Sequence, residues 1–160
     1  MKTFSTIALV LIIILALIYF FYGAETFTFT AEVEGVPVEA EDAGVINSGN
    51  RLKILIKLKD SAHKIIELDC PSRSGVYLLN SYNENENRGG YSIGSTQDRE
   101  LFVTNNQCTG RIEITELDVS LKKVSGTFEY AAAQVFQDHF GTRVVHITKG
   151  AFKDIQIREL

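Results

Sequence analysis

A two-residue alternation of apolar and polar side chains begins at residue 26 and most restricts what this chain can fold into. In residues 26–33, Phe, Ala and Val alternate with Thr and Glu, and residues 52–59 repeat the pattern with Leu and Ile against Lys. Such alternation indicates strands with one buried and one solvated face. Helical periodicity is weak, and residues 130–135, which have fair helix propensity, are too few to form a stable helix.

Further short apolar segments follow at spacings of roughly 8–12 residues, separated by turn-forming residues, which is typical of sandwiches and barrels. The sequence predicts an all-β fold, an antiparallel β-sandwich or small barrel of about 9–10 short strands, preceded by an N-terminal hydrophobic helix. The 136 residues after residue 24 suit one domain with a single core.

Two polar segments, residues 80–96 and 134–141, interrupt the strand pattern and are predicted to be exposed loops. They carry the aromatic residues Tyr82, Tyr91 and Phe140, which we expect either to contact a ligand or to cap the core.

Residues 4–24 form an apolar segment whose only interruptions are Ser, Thr and Gly, and Lys2 is the one charged residue before Glu25. About 20 such residues span a bilayer core, whereas the apolar region of a secretory signal is usually shorter. The aromatic residues 19–22 resemble an interfacial belt, and a cut after Ala24 would leave Tyr22 where a small residue is preferred. Residues 1–24 are therefore a retained signal anchor or a cleaved signal peptide. Either one places residues 25–160 outside the cytoplasm, in the cell envelope or secreted.

The region after residue 24 holds 15 of the 16 basic residues and all 20 acidic residues, a net charge of −5. This acidity argues against nucleic acid as a partner, because phosphate binding needs clustered Lys and Arg. The nearest approach to a basic stripe, Lys53, Lys57 and Lys59, is expected to be a solvated strand face. The predicted partners are the membrane, through residues 4–24, and an unknown envelope protein or glycan.

Cys70 and Cys108 are the two cysteines of the chain. An even cysteine count in a translocated domain favours a disulfide, which would close a loop of about 38 residues and stabilise the fold by about 3–4 kcal/mol in the chain-entropy model. Two unpaired buried thiols are the alternative.

No catalytic, metal or cofactor motif is recognisable, and the three histidines occupy turns or exposed strand positions. The sequence therefore predicts a non-enzymatic cell-envelope domain that binds a protein or glycan through its two loops or has a structural role. A hydrolase with a carboxylate pair assembled in space is the alternative, since 20 acidic residues could supply one. A subunit of a larger envelope complex is a third reading, and it would expose a contiguous apolar patch.

Three segments resemble a known family. Residues 29–38 (FTAEVEGVPV) look like its opening strand and turn, residues 124–130 (VSGTFEY) like its SGTF strand, and residues 145–155 (VHITKGAFKDI) like its closing ITxGxFxDI hairpin. The family is an uncharacterised one of small secreted or lipid-anchored Bacteroidetes β-proteins. The resemblance implies no catalytic residue, and the lipid-bearing Cys that members usually carry after the signal peptide has no counterpart here.

The glycines of these segments have physical explanations. Gly35 and Gly150 are predicted to adopt the positive φ of tight hairpins. Gly126 lies inside a predicted strand, where a bulge or a close backbone approach is expected, and Pro37 is predicted to lie in an edge strand.

Overall fold

The computed structural model describes residues 27–60, 62–83, 85–95, 98–136 and 139–159, and the segment read as an anchor or signal lies outside them. The described residues form eleven strands and no helix, so the all-β prediction is confirmed. The strands are β1 (Thr28–Val33), β2 (Val36–Val38), β3 (Ala40–Asn47), β4 (Arg51–Leu58), β5 (Ile65–Pro71), β6 (Gly75–Leu79), β7 (Arg88–Ile93), β8 (Glu100–Val103), β9 (Gly110–Asp118), β10 (Lys123–Phe136) and β11 (His139–Glu159). Among the described residues no helix has the length and apolar composition needed to cross a bilayer.

All eleven strands belong to one mixed sheet, in the order β2-β1-β11-β3-β4-β5-β7-β8-β10-β9-β6. Strands β10 and β11 also pair with each other, so that β11, β3, β4, β5, β7, β8 and β10 form a closed circuit. The hairpin β1–β2 and the pair β9–β6 lie outside this circuit. The pairing of β11 with β3 is parallel, which corrects the prediction of a purely antiparallel fold.

The circuit closes because two of its strands are far longer than a typical strand of about five or six residues. Strand β10 has 14 residues and β11 has 21. Residues 123–130 of β10 pair with β9 and residues 133–135 pair with β8. Residues 147–153 of β11 pair with β1 and residues 157–159 pair with β3. Register shifts along the β10–β11 pair bend both strands, as bulges do, and allow these changes of neighbour.

The predicted turn at Lys149-Gly150 is wrong, because β11 runs through both residues. Lys149 carries the positive φ, at 53°, and Gly150 does not. A Cβ on Gly150 would lie 2.6 Å from the Phe128 ring, so glycine is required there by a close approach rather than by a turn. The other expectations hold: Gly35 has a φ of 77°, β2 with Pro37 is an edge strand, and Gly126 lies at a register shift beside the Glu113 carbonyl.

One hydrophobic core fills the interior. Strand β4 shows how the alternation builds it: Leu52, Ile54, Ile56 and Leu58 are all buried and face inward. Burying each such side chain contributes about 1.5–3 kcal/mol. A cluster of rings stands beside them, where the Phe128 ring lies 6.3 Å from Phe29 and 6.2 Å from Phe152 between centroids.

Candidate functional site

Two of the three predicted ligand-contact residues come together on the surface. The rings of Tyr82 and Phe140, 58 positions apart in sequence, meet edge to face with centroids 5.8 Å apart and planes at 73°. Tyr82 is 65% exposed and Phe140 is 41% exposed. The contact joins the two polar segments that interrupt the strand pattern of the sequence.

Tyr91, the third of these residues, is not on a loop. It lies in β7, is only 2% exposed and packs against the Phe102 ring at 6.1 Å. The predicted loop 80–96 is therefore half as long as expected, since β7 begins at Arg88. The predicted loop 134–141 is instead the tip of the β10–β11 hairpin, with β10 continuing to Phe136 and β11 beginning at His139.

The shortened loop, residues 80–87, is called the covering loop below, and hydrogen bonds tie it to the sheet. The Thr104 hydroxyl, fully buried, donates to the Ser81 carbonyl at 2.8 Å and accepts the Gly89 N–H at 3.1 Å. At the other end of the loop, Nη2 of Arg51 donates to the Glu86 carbonyl at 2.7 Å. The covering loop is thus held at both ends on β4, β7 and the segment after β8.

Charged side chains lie on the face of β4, β5 and β7 opposite the core, on the side where the covering loop is bonded. We call Arg51, Lys53, Glu67, Asp69 and Arg88 the ionic network. Asp69, only 3% exposed, lies 3.4 Å from Nε of Arg51 and 3.7 Å from Nζ of Lys53. Glu67 lies 3.5 Å from Nζ of Lys53 and pairs with Arg88, which is 7% exposed.

The register of the strands explains why these charges meet. Asp69 lies directly opposite Lys53 of β4 and opposite Arg88 of β7, and residues paired in this way point to the same face. Lys53 is consequently half-buried in the network, which corrects the prediction of a solvated lysine stripe at that position. Lys57 and Lys59 pair with Glu41 at 3.0 Å and Glu39 at 3.4 Å on the surface.

Burial raises the pKa of the Asp69 carboxyl, and the nearby Lys53, Arg51 and Arg88 only partly offset this. This upward shift of the pKa is informative, because three cations close to one carboxylate would by themselves lower its pKa. Desolvation is therefore the larger influence on Asp69.

Apolar side chains extend the exposed aromatic pair. Val135 of β10 lies opposite both Leu101 of β8 and Phe140 of β11, so Leu101 and Phe140 share a face. Val144 lies four residues along β11 from Phe140 and is also exposed. We call Tyr82, Leu101, Phe140 and Val144 the aromatic patch. Exposed apolar residues grouped in this way are characteristic of interaction sites.

A cleft of about 590 Å³ opens at one end of the sheet, between the β1–β2 hairpin, the β4–β5 turn, β7 and β11; we call it the end cleft. Its apolar lining comprises Val33, Val36, Pro37, Val38, Leu58, Ile93 and Val145, with the Tyr91 ring beside them. Its charged lining comprises Glu34, Glu39, Lys59, Asp60, Lys64 and Arg143. The cleft was not predicted from the sequence, because four separated segments contribute to it and none carries a recognisable motif.

The two cysteines are free thiols in the structure rather than the predicted disulfide. Cys70 is buried in the core on β5, and Cys108 is half-buried in the loop between β8 and β9. Burial, followed by the charge of Asp69, raises the pKa of the Cys70 thiol to about 12. That thiol is therefore protonated and unreactive at neutral pH.

Comparison with known families gives a match over most of the chain. The family described as a domain of unknown function, DUF6252, matches residues 25–156. The chain belongs to this family. Its match begins at residue 25, where the sequence predicts the domain to start, and it agrees with the expectation of a family without an established activity. No curated protein and no solved structure matches the chain.

Proposed function

We propose that this protein is a non-enzymatic binding domain of the cell envelope, and that a protein partner docks on its aromatic patch. The observation that carries the proposal is the contact between Tyr82 and Phe140, two rings that touch each other while both remain largely exposed. Aromatic residues of this kind are enriched at the centres of protein interfaces and are depleted from ordinary surface.

The anchoring of the covering loop supports this reading. Hydrogen bonds from Thr104 and Arg51 fix the ends of the loop, and the Phe140 ring fixes Tyr82 between them. A surface that is ordered before binding loses less conformational entropy on association. The two polar segments therefore form one recognition surface on a rigid sheet rather than two flexible loops.

Photo-crosslinking in the native host tests the docking surface. A photoreactive phenylalanine analogue replaces Phe140, and a second variant carries it at Val119, which is exposed in the turn between β9 and β10. We expect one discrete protein adduct from position 140 that is lost when Tyr82→Ala is added, and no such adduct from position 119. Equal adducts at both positions would argue against a dedicated surface, and binding of purified envelope glycan abolished by Tyr82→Ala would indicate a glycan partner instead.

We also propose that residues 4–24 direct export of the protein and are retained as a membrane anchor rather than cleaved. Its support is the apolar length of this segment and the single Lys2 before it. Mass spectrometry of the mature protein tests it: we expect an N-terminus at residue 1 or 2 and retention in membranes after carbonate extraction. A mature N-terminus near Glu25 would instead identify a cleaved signal peptide.

A hydrolase is the second candidate, because the end cleft brings Glu34, Glu39 and Asp60 to one rim. Each of these carboxylates already has a partner: Glu39 pairs with Lys59, Asp60 pairs with Lys64, and Glu34 accepts the His146 N–H. These features favour binding over hydrolysis. Turnover of envelope glycans or peptides that disappears in Glu39→Gln would reverse that preference.

A further inference from the structure

The end cleft has the dimensions of a small-molecule site. Its volume of about 590 Å³ lies within the range of roughly 300–1,000 Å³ typical of ligand pockets. Its floor is continuous with the core, since Leu58 and Val145 belong both to the buried cluster and to the cleft lining. A ligand seated there would cover apolar surface that is otherwise open to water, which is favourable in proportion to the area covered.

Tyr91 gives the floor a single polar group. The residue is 2% exposed and lines the cleft, and its ring packs against Phe102. No described group accepts a hydrogen bond from its hydroxyl. Its hydroxyl is also not among the buried polar atoms that lack a partner, so it reaches the open space of the cleft, where a ligand can bond it.

The hydroxyl also remains a donor at neutral pH. Burial, and then the charge of Asp60 on the rim, raises the pKa of Tyr91 to about 12. A ligand with an acceptor, such as a carbonyl or ether oxygen, therefore receives this proton in a hydrogen bond at any pH below that value.

The cleft lining carries three acidic residues (Glu34, Glu39 and Asp60) and three basic ones (Lys59, Lys64 and Arg143), so its charges sum to zero. Lys59 lies 3.4 Å from Glu39, Lys64 lies 2.7 Å from Asp60, and Arg143 holds Glu100 at 2.9 Å beyond the cleft. The rim therefore carries no net charge that would attract a cationic or an anionic ligand in preference to a neutral one. A neutral ligand leaves every pair intact.

From these features we propose that the end cleft binds a neutral, amphipathic small molecule, with an apolar body on the floor formed by Leu58, Ile93 and Val145 and one acceptor oxygen on the Tyr91 hydroxyl. The site is distinct from the aromatic patch, none of whose residues lines the cleft. It adds a small-molecule ligand to a domain for which we propose a protein partner, and it does not depend on that partner.

Benzophenone is a suitable probe, because it is neutral, has two apolar rings and one carbonyl acceptor, and is itself photoreactive. Under near-ultraviolet light its carbonyl carbon bonds to a nearby C–H carbon while its oxygen takes the hydrogen. The full-length chain is labelled over a range of benzophenone concentrations, and the labelled positions are mapped by mass spectrometry. We expect saturable labelling of peptides that contain Leu58, Ile93 or Val145, with diphenylmethane, which has the same rings but no oxygen, competing more weakly.

The variants separate the hydrogen bond from the cavity. Tyr91→Phe should raise the half-saturating concentration about 3–10-fold, the equivalent of one hydrogen bond, without changing labelling of the apolar residues 4–24, an internal reference. Ile93→Trp should abolish cleft labelling by filling the cavity, whereas Val119→Trp on a distant turn and Phe140→Ala on the aromatic patch should leave it unchanged. Thermal unfolding of each variant confirms that it is folded.

Labelling no stronger in the cleft than at the exposed Val76 and Leu78 would overturn the proposal, as would saturable labelling that Ile93→Trp does not reduce. Equal half-saturation in the wild type and Tyr91→Phe would overturn the role of the hydroxyl. Because Phe140→Ala abolishes only the proposed protein docking, failure of the cleft and failure of the aromatic patch give different results.

Discussion

Asp69 is a carboxylate in a place where carboxylates are rarely found, almost fully buried among the side chains of the ionic network. Its partners Lys53, Arg51 and Arg88 reduce the cost of burying the charge without removing it, and its pKa is raised. The sequence did not reveal this environment, because Leu68-Asp69-Cys70 reads as a strand with one residue in solvent. Asp69 is surrounded by Arg51, Lys53 and Arg88 of the neighbouring strands β4 and β7, a tertiary feature that no local pattern encodes.

The raised pKa of Asp69 determines how stability varies with pH. Between the unfolded-state pKa, about 3.9, and the higher folded-state value, the folded protein binds more protons, so this group favours folding at low pH and the benefit is lost as pH rises. We expect the free energy of unfolding of the wild type, relative to Asp69→Asn, to fall as pH increases through the folded-state pKa. Urea unfolding at a series of pH values measures this difference in free energy of unfolding. Glu116→Gln, at an exposed position, is the control. A free energy of unfolding of the wild type that rises with pH relative to Asp69→Asn would contradict a raised pKa of Asp69.

Cys70 and Cys108 should differ sharply in reactivity. Burial holds the pKa of Cys70 at about 12, whereas Cys108 is only half-buried. Iodoacetamide at pH 8 without reductant should label Cys108 in the folded protein and Cys70 only after unfolding in urea, as peptide mapping would show. If neither cysteine is labelled in urea until a reductant is added, the two are bridged and the assignment of free thiols is wrong.

At the scale of elements, alternation identified β1 and β4 well, because each keeps the same buried face along its length. It failed for β10 and β11. Both strands change pairing partners partway along and contain register shifts. The alternation of apolar and polar residues is therefore interrupted at points where the strand itself continues. At Gly150 the interruption looked like a turn, although the glycine is there to make room for the Phe128 ring.

Substitution of Gly150 tests that explanation. A Cβ would lie 2.6 Å from both the ring and the carbonyl oxygen of Phe128, so Gly150→Ala should destabilise the fold by about 1–3 kcal/mol through overpacking. Gly44→Ala is the matched control, since its Cβ would meet only the Arg158 side chain at 3.5 Å. Urea unfolding of both variants provides the comparison, and similar losses for the two would refute a specific close approach.

Strand β7 was missed for a related reason. It carries Arg88, Gly89, Gly90 and Ser92, which together read as a polar loop. Gly89 is required because the Tyr130 ring lies over it, 2.9 Å from the position of a Cβ, and the Tyr130 hydroxyl donates to the Gly90 carbonyl. Arg88 is polar and yet buried in the ionic network. Polarity therefore predicted exposure at positions where tertiary contacts satisfy the polar groups.

The tether of the covering loop can be tested through Thr104. Thr104→Val removes a hydroxyl that bonds both Ser81 and Gly89, and it leaves their buried backbone groups unsatisfied. We expect a loss of about 2 kcal/mol in unfolding free energy and faster amide hydrogen exchange in residues 81–87. Thr127→Val, at an exposed position on β10, should change stability by less than about 0.5 kcal/mol. Unchanged exchange in the covering loop would show that Thr104 does not hold it.

At the scale of the whole molecule, the sequence predicted the all-β fold class and two of the residues on the proposed docking surface. It could not bring those residues together, because Tyr82 and Phe140 meet only once β7, β8, β10 and β11 have paired in order. The end cleft was invisible for the same reason. Both surfaces depend on long-range pairing, and a repeating apolar pattern specifies which face is buried but not which strands become neighbours.

The convergence of Tyr82 and Phe140 is the central claim, since it results from the strand order and the proposed docking surface depends on it. Nuclear Overhauser spectroscopy with these two rings selectively labelled measures it directly. We predict cross-peaks between their ring protons, and upfield shifts of the protons at the edge of one ring that face the other; Phe140→Leu should abolish both effects. Assigned ring resonances without cross-peaks, at the chemical shifts of an unfolded chain, would contradict that convergence.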